Sequence, residues 1–344
     1  MKFDVVVGNP PYQEEAKGTS SSEDPIYNLF YDFAEKNAPK YCLISPARFL
    51  FNAGKTPSAW NQKMLQDEHL SVVFYEQDSN NVFSGTSIPG GISVIYRDES
   101  KNFGKIGTFV SFSELKTIKG KVWEKAESSI REIIYTQNKF DLDSLYSDYS
   151  EYKELIGSEG RDKRFRQIIM ERLDVFTETR QNEDDLRILG LISKERSYRY
   201  IPRRYVEWTN WIDKYKVFVP FSNGASGALG KEAARLISKP VLGFPGDGMT
   251  QTFIGFGSLN TENEGVSLLK YIKSKFCRVL LGILKVTQGN KSETWEYVPL
   301  EDFTAKSDID WTKSIPEIDQ QLYKKYGLDQ NEINFIESKV KAMD

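Results

Sequence analysis

The stretch "FDVVVGNPPYQ", residues 3–13, decides how the rest of the chain is read. A short β-branched and aromatic run ends at Gly8 and gives way to Asn9-Pro10-Pro11-Tyr12. Such a run predicts a buried strand. The two prolines fix φ and remove two backbone donors, and the residue before each proline is held extended. The Asn9 carboxamide and the Pro10 carbonyl are therefore rigid acceptors, and Tyr12 adds a flat ring beside them. Carbonyl oxygens converging next to an aromatic face suit a planar group that bears an exocyclic amine. The same residues also read as a proline-rich turn that only ends a strand. The place of the turn, at a carboxyl strand end where α/β folds put their ligands, favours the first reading.

Working outward, "YCLIS" (41–45), "SVVFYE" (71–76), "ISVIYR" (92–97) and "GTFVSF" (107–112) read as further strands. "DPIYNLFYDFAEKNAP" (24–39) predicts a helix capped by Asp24, with Pro25 in its first turn and Pro39 beyond its end. Residues 57–67 predict a second helix. This alternation is the rhythm of a parallel, helix-covered sheet. Residues up to about 90 are expected to form the second half of a doubly wound α/β fold, with the closing strands as an antiparallel edge. Residues 114–192 are charged and helical in period. Beyond Leu186 come short apolar runs, glycines and many aromatics, then a last helix near Asp329. There Asp329 and Glu332 are spaced as a capping box, and Leu328 and Ile333 as a hydrophobic staple. The expected organisation is an α/β unit at 1–115, a helical linker at 116–185 and a mixed α+β unit at 186–344. "GTSSSED" (18–24) reads as a mobile loop.

Bulk properties narrow the function. At 344 residues the chain is long enough for two cores. A net charge of −3 means that any nucleic-acid contact needs locally concentrated positive charge. Cys42 and Cys277 read as free thiols of a reducing compartment, and no long apolar span is present, so a cytoplasmic chain with no membrane partner is expected. The single histidine, His69, reads as a surface residue. Histidine-dependent nucleophile systems and common zinc sites are thereby set aside, and no metal is expected.

The densest basic stretch is "KERSYRYIPRRYVEWTNWIDKYKVFVP" (194–220). It sets Lys194, Arg196, Arg199, Arg203, Arg204, Lys214 and Lys216 against Glu195, Glu207 and Asp213, with aromatics interleaved. Basic residues neutralise phosphates, and arginines also read guanine edges. Arg199, Arg203, Arg204, Lys214 and Lys216 are the expected DNA contacts. A solvated basic face over an aromatic core is the plain alternative. "RDKRFRQ" (161–167) is a second cluster, read as solvated helix surface or a phosphate contact.

"FDVVVGNPPYQ" resembles motif IV of the amino-methyltransferases that act on adenine N6 in DNA. "ISPARFL" (44–50) and "NVFSGTSIPGGISVIYRD" (81–98) resemble downstream motifs of the same family, and "TWEYVPLEDFTAKSDIDWTKSIPEIDQQLYKKYGL" (294–328) resembles its tail. The branch is that of the Eco57I-like restriction-modification methylases. The resemblance implies a Rossmann-like class I methyltransferase sheet followed by a target-recognition domain. It implies that Asn9 and the Pro10 carbonyl hold the adenine amine, that Pro11 stiffens the turn, and that Tyr12 stacks on a base flipped out of double-stranded DNA. Asn9 would also touch the methyl donor, S-adenosylmethionine.

In that family the donor site lies largely upstream of the N-P-P-Y block, in a glycine-rich turn and an acidic residue. Only eight residues precede Asn9 here. Of the later glycine-rich stretches, "NGASGALGKEAARLI" (223–237) lacks a leading strand and "GFPGDGMTQTFIGFGS" (243–258) lacks a following helix. The chain is expected to be a C-terminal part that needs a separate half for the donor and to transfer little or no methyl alone. A non-catalytic DNA-binding specificity module is the competing class. Nuclease chemistry would rest on Glu151-Tyr152-Lys153, which no strand-borne Pro-Asp precedes.

Overall fold

The computed structural model describes residues 3–14, 24–223 and 227–344. Most of the expected 18–24 loop, and Gly224, lie outside the described residues. Contacts divide the chain into Met1–Lys116 with Ile283–Thr287, and Thr117–Gly282 with Gln288–Asp344.

The first unit contains β1 (Val6–Gly8), α1 (Tyr27–Asn37), β2 (Lys40–Pro46), α2 (Ser58–Gln66), β3 (Leu70–Glu76) and β4 (Ile92–Asp98). The sheet order is β1-β2-β4-β3. β1 and β2 are parallel, while β4 runs against both β2 and β3. Three strands thus point one way, with one reversed strand slotted between β2 and β3. The expected antiparallel edge is interior instead, and Ile92, Ser93, Ile95 and Asp98 of β4 are fully buried. "GTFVSF" is no strand. Its Gly107 N–H donates to the Leu65 carbonyl, and Phe109 packs edge-on against Phe51 and Tyr75, which ties the segment to the core as a loop. Asp24 does not cap α1, whose N-cap is Ile26. The Asp24 carboxylate pairs with Lys55 at 3.2 Å, and its carbonyl is taken by Glu14 N–H.

Strand register sorts the side chains onto two faces. Val6, Tyr41, Leu43, Leu70, Val72, Tyr75 and Ile95 fall on one face and join an aromatic core with Tyr27, Tyr31, Phe49 and Trp60. The other face carries Val7, Cys42, Ile44, Phe74, Val94 and Tyr96, none of which belongs to that core. Val7 is 71% exposed and Phe74 46%. The sheet therefore has one covered face and one open apolar face. β1 is also an edge strand, with Phe3 and Val5 exposed beside Val7, and α1 leaves Leu29, Phe30 and Phe33 exposed.

The second unit takes the last turns of α3 (Ser113–Trp123), then β5 (Ile134–Tyr135), α4 (Leu142–Asp148), α5 (Tyr152–Ile156) and α6 (Gln167–Arg172). β6 (Leu186–Ile192), β7 (Glu195–Ile201), β8 (Tyr215–Pro220), β9 (Val241–Gly243), β10 (Asp247–Met249) and β11 (Phe253–Leu259) follow. The chain closes with α7 (Glu262–Lys273), α8 (Lys275–Leu281), α9 (Ile315–Tyr326) and α10 (Gln330–Lys339). One sheet is ordered β10-β6-β7 and another β5-β11-β8-β9. The segment expected as a linker lies, from Thr117 on, within this unit. Phe140, Leu145, Tyr152, Phe165, Ile169 and Phe176 are buried in one core with Leu186, Ile188 and Ile201 of the β6–β7 hairpin. Glu151-Tyr152-Lys153 opens α5, where Tyr152 stacks on Tyr149 at 4.7 Å. The α10 capping box forms as its spacing demands, Asp329 accepting from Glu332 N–H and Glu332 from Asp329 N–H.

α8 starts at a buried junction. Asp319 of α9 accepts from the Lys275 and Phe276 amides at 3.1 and 2.9 Å, and burial pushes its carboxyl up to about 6. Between about pH 4 and pH 6 the folded protein therefore binds a proton that the unfolded chain has released, so this group's contribution to stability falls as pH rises through that window. The size is at most about 3 kcal/mol. Asp319→Asn, which keeps an acceptor without the charge, is expected to flatten this part of the stability profile; urea unfolding at several pH values reads it.

Candidate functional site

Because β1, β2 and β3 run the same way, their carboxyl ends meet at one end of the sheet. That is where open α/β sheets place their ligands. Asn9 is exposed, Pro10 buried, Pro11 exposed and Tyr12 half-buried. The turn is fixed from behind by a short antiparallel zip. Ile26 N–H donates to the Tyr12 carbonyl, Glu14 N–H to the Asp24 carbonyl, and Gln13 bridges Pro25. Tyr12 packs against the aromatic core, and its hydroxyl is buried with the Asn9 side chain near it but outside good hydrogen-bond geometry. Burial pushes this phenol up, while the nearby Asn9 side chain draws it back. A buried polar atom left unpaired costs free energy, and such an atom at a strand end calls for an explanation.

The other two ends are built from the remaining motif blocks. After β2, Ala47–Phe51 form a 3-10 turn, and Ala47 N–H donates to the Gly91 carbonyl at 2.9 Å. Below it the Tyr31 hydroxyl meets Ser45 Oγ at 2.9 Å, wholly buried. After β3, Ser79 Oγ donates to the Thr86 carbonyl and accepts from Ile88 N–H, and Asn80 accepts from Gly85 N–H. Gly90 and Gly91 both have positive φ. A Cβ on Gly91 would sit 2.3 Å from the Glu76 carbonyl oxygen, and one on Gly90 would sit 2.6 Å from Arg48 Cγ. The double glycine thus lets the loop fold back on the end of β3 and on Arg48. Sequence reading marked "ISPARFL" and the glycine block by resemblance, and missed their direct contact. Two segments some 40 residues apart in sequence carry no local signal of pairing.

Gly90 and Gly91 lead into a strand instead of a helix, and β1 has no neighbour on its outer edge. His69 lies away from these ends, its Nδ1 donating to the Lys101 carbonyl.

In the second unit the expected DNA contacts scatter. Arg203 forms a two-pronged pair with Asp213, Arg199 pairs with Glu178, and Arg204 pairs with Asp148 and bonds the Tyr205 hydroxyl. Lys214 donates to Asn260. Lys216 is wholly buried, a correction to its place among surface cations. Its ammonium donates to the Ile212, Asp247 and Phe244 carbonyls at 2.7, 2.9 and 3.2 Å. Burial pushes it down to about 7, yet three carbonyls match the three donors of the charged form.

Comparison with known proteins matches the first unit to restriction-modification methylases. Residues 1–83 match the profile of the family described as Eco57I restriction-modification methylase. This is the family that the N-P-P-Y block resembles. An "Uncharacterized adenine-specific methylase" of Mycoplasma pneumoniae (strain ATCC 29342 / M129 / Subtype 1) is 33% identical over 96 residues, 27% of this chain and 22% of that protein. The crystal structure of the type IIG restriction endonuclease BpuSI aligns over 97% of this chain and 52% of its own, with a TM-score of 0.34 and 11% identity.

The glycine argument has a direct test. Gly91→Ala meets both backbone strain and a backbone clash, whereas Gly104→Ala, at φ +78 with nothing within 4 Å, meets strain alone. Thermal unfolding is expected to show a loss above about 3 kcal/mol for the first and about 1 kcal/mol for the second.

Proposed function

We propose that the first unit is the adenine-holding half of a DNA methyltransferase of a restriction-modification system, and that the second unit recognises its DNA. The observation that carries this is the N-P-P-Y turn, held at the carboxyl end of β1 within the segment that matches the family. Three like-directed strands with one reversed strand between support reading the sheet as the second half of a Rossmann-like fold.

In this reading the Asn9 carboxamide oxygen and the Pro10 carbonyl accept the two N–H groups of the adenine N6 amine. The prolines hold both acceptors without a competing amide, so little reorganisation is needed when the amine arrives. Tyr12 presents its ring to a base flipped from the duplex. The methyl donor implied by the family is S-adenosylmethionine, whose site the described residues do not complete. The free edge of β1 and the open apolar face support a polypeptide partner that extends the sheet and covers that face. The free thiols Cys42 and Cys277 suit a reducing, cytoplasmic setting. Among the described residues no helix is long and apolar enough to cross a membrane. The incomplete donor site also favours a second reading, a specificity module without catalysis of its own.

A random duplex pool selected for retention by the chain is expected to enrich a site containing adenine. Placing 2-aminopurine at that adenine is expected to raise its emission on binding, and Tyr12→Ala to lower this response. Enrichment of sites without a required adenine would overturn the reading. With S-adenosylmethionine and the enriched duplex, the chain alone is expected to give little or no methyl transfer; ready turnover would remove the need for a partner. Donor binding in a titration would set the second reading aside, since a pure specificity module does not bind it; absence of binding is expected of both readings.

A further inference from the structure

A second basic surface of the second unit lies outside the arginine-rich block at 194–220. A groove of about 450 Å3 is lined by Lys139, Arg161, Lys163 and Arg164, against the two acids Asp162 and Glu207. Its floor is rigid. Phe140 N–H donates to the Lys163 carbonyl, Phe165 N–H to the Asn138 carbonyl and Glu207 N–H to the Lys139 carbonyl, at 2.7, 2.9 and 2.9 Å. Lys139 bridges Arg164 and Phe140 bridges Val206, with the Phe140 and Phe165 rings 4.2 Å apart beneath. Lys163 is held at φ +58, an unfavourable conformation for a side-chain-bearing residue.

The charges differ in their freedom. Lys163 pairs with Glu207 and Arg164 with Asp162. Lys139 and Arg161 are exposed and have no carboxylate partner among the described residues. In the 194–220 block Arg199, Arg203 and Arg204 hold Glu178, Asp213 and Asp148, while Lys194 and Arg196 are exposed and have no carboxylate partner among the described residues. An anion arriving at Arg199, Arg203 or Arg204 must displace a carboxylate first, whereas one arriving at Lys139 and Arg161 need not; these two share one groove with Lys163 and Arg164. Directly after Glu207 stands Trp208, 77% exposed, the most exposed large hydrophobic side chain of the described residues. An indole left in water one residue from the groove-lining Glu207 matches the pairing of phosphate neutralisation with ring stacking that nucleic-acid surfaces use.

We propose that this groove, through Lys139 and Arg161, seats the phosphate backbone of duplex DNA, and that Trp208 packs on a base or sugar beside the seated phosphates. This rests on the DNA-recognition reading of the second unit and assigns its contact surface. Lys163 and Arg164 add charge, and their acidic partners set the spacing of the groove.

The test is equilibrium binding of the full chain to a labelled duplex over a salt series, with circular dichroism melting to confirm that each variant folds. Lys139→Ala with Arg161→Ala is expected to weaken binding more than tenfold at 0.1 M salt and to lower the slope of log affinity against log salt by about two. Trp208→Ala is expected to weaken binding about fivefold or more with the slope unchanged. Groove variants that bind as the parent does, or a larger loss from Arg199→Ala with Arg204→Ala, would overturn the assignment and leave DNA recognition standing. A parent chain that binds no duplex DNA even at low salt, or that prefers heparin or duplex RNA, would overturn both.

Discussion

Three rungs of parallel pairing, Val6 with Tyr41, Val7 with Cys42 and Gly8 with Leu43, hold β1 on β2, and the whole candidate site hangs from them. They place Val6 toward the aromatic core and Val7 toward the open face. They also bring Asn9 out at the end of the sheet where β2 and β3 finish. A slip of one residue would exchange the two faces and turn the acceptors of the N-P-P-Y turn away. The register is kept because one face is buried and the other is not. The zip between residues 12–14 and 24–26 then prevents the turn from swinging once the strand is seated.

The open face is the other side of that arrangement. A parallel sheet ordinarily carries helices on both faces, and here the described helices serve one. Val7, Phe74, Cys42, Ile44 and Val94 form an apolar surface continuous with an unpaired strand edge. The covered face is built for stability, with Tyr31, Trp60 and Phe49 interlocked edge to face. The open one keeps Val7 and Phe74 exposed.

In the second unit, charge is mostly spent on structure. Arg278 is wholly buried and donates to the carbonyls of Lys273 and Ser274 where α7 ends, and Lys216 ties three carbonyls together beneath β8. Arg187 clamps Asp247 with two bonds, joining β6 to β10. Basic residues in such roles neutralise local backbone dipoles and leave little for a partner. A chain of net charge −3 can then attract a polyanion only where cations are left over.

Local chemistry was readable where neighbours in sequence decide the outcome. A strand before Gly8 (though at Val6–Gly8 it is an exposed edge and not the buried strand expected), the helices near 27–37 and 58–66, and the Asp329–Glu332 capping box follow from residues within a few positions of one another. Asp24 stands two residues before the N-cap Ile26, held in the zip with residues 12–14, so its carboxylate meets Lys55 instead of the amides of α1. "GTFVSF" has strand composition, yet Phe51 and Tyr75 take its phenylalanine into a ring cluster. The arginines of 194–220 look alike in sequence, but which of them is engaged depends on Glu178, Asp213 and Asp148, and Lys216 is buried by strands that pair across the chain. Residue type and short-range spacing set what each segment can do; burial and charge pairing, which arise only when distant segments pack, settle which of those capacities face a partner.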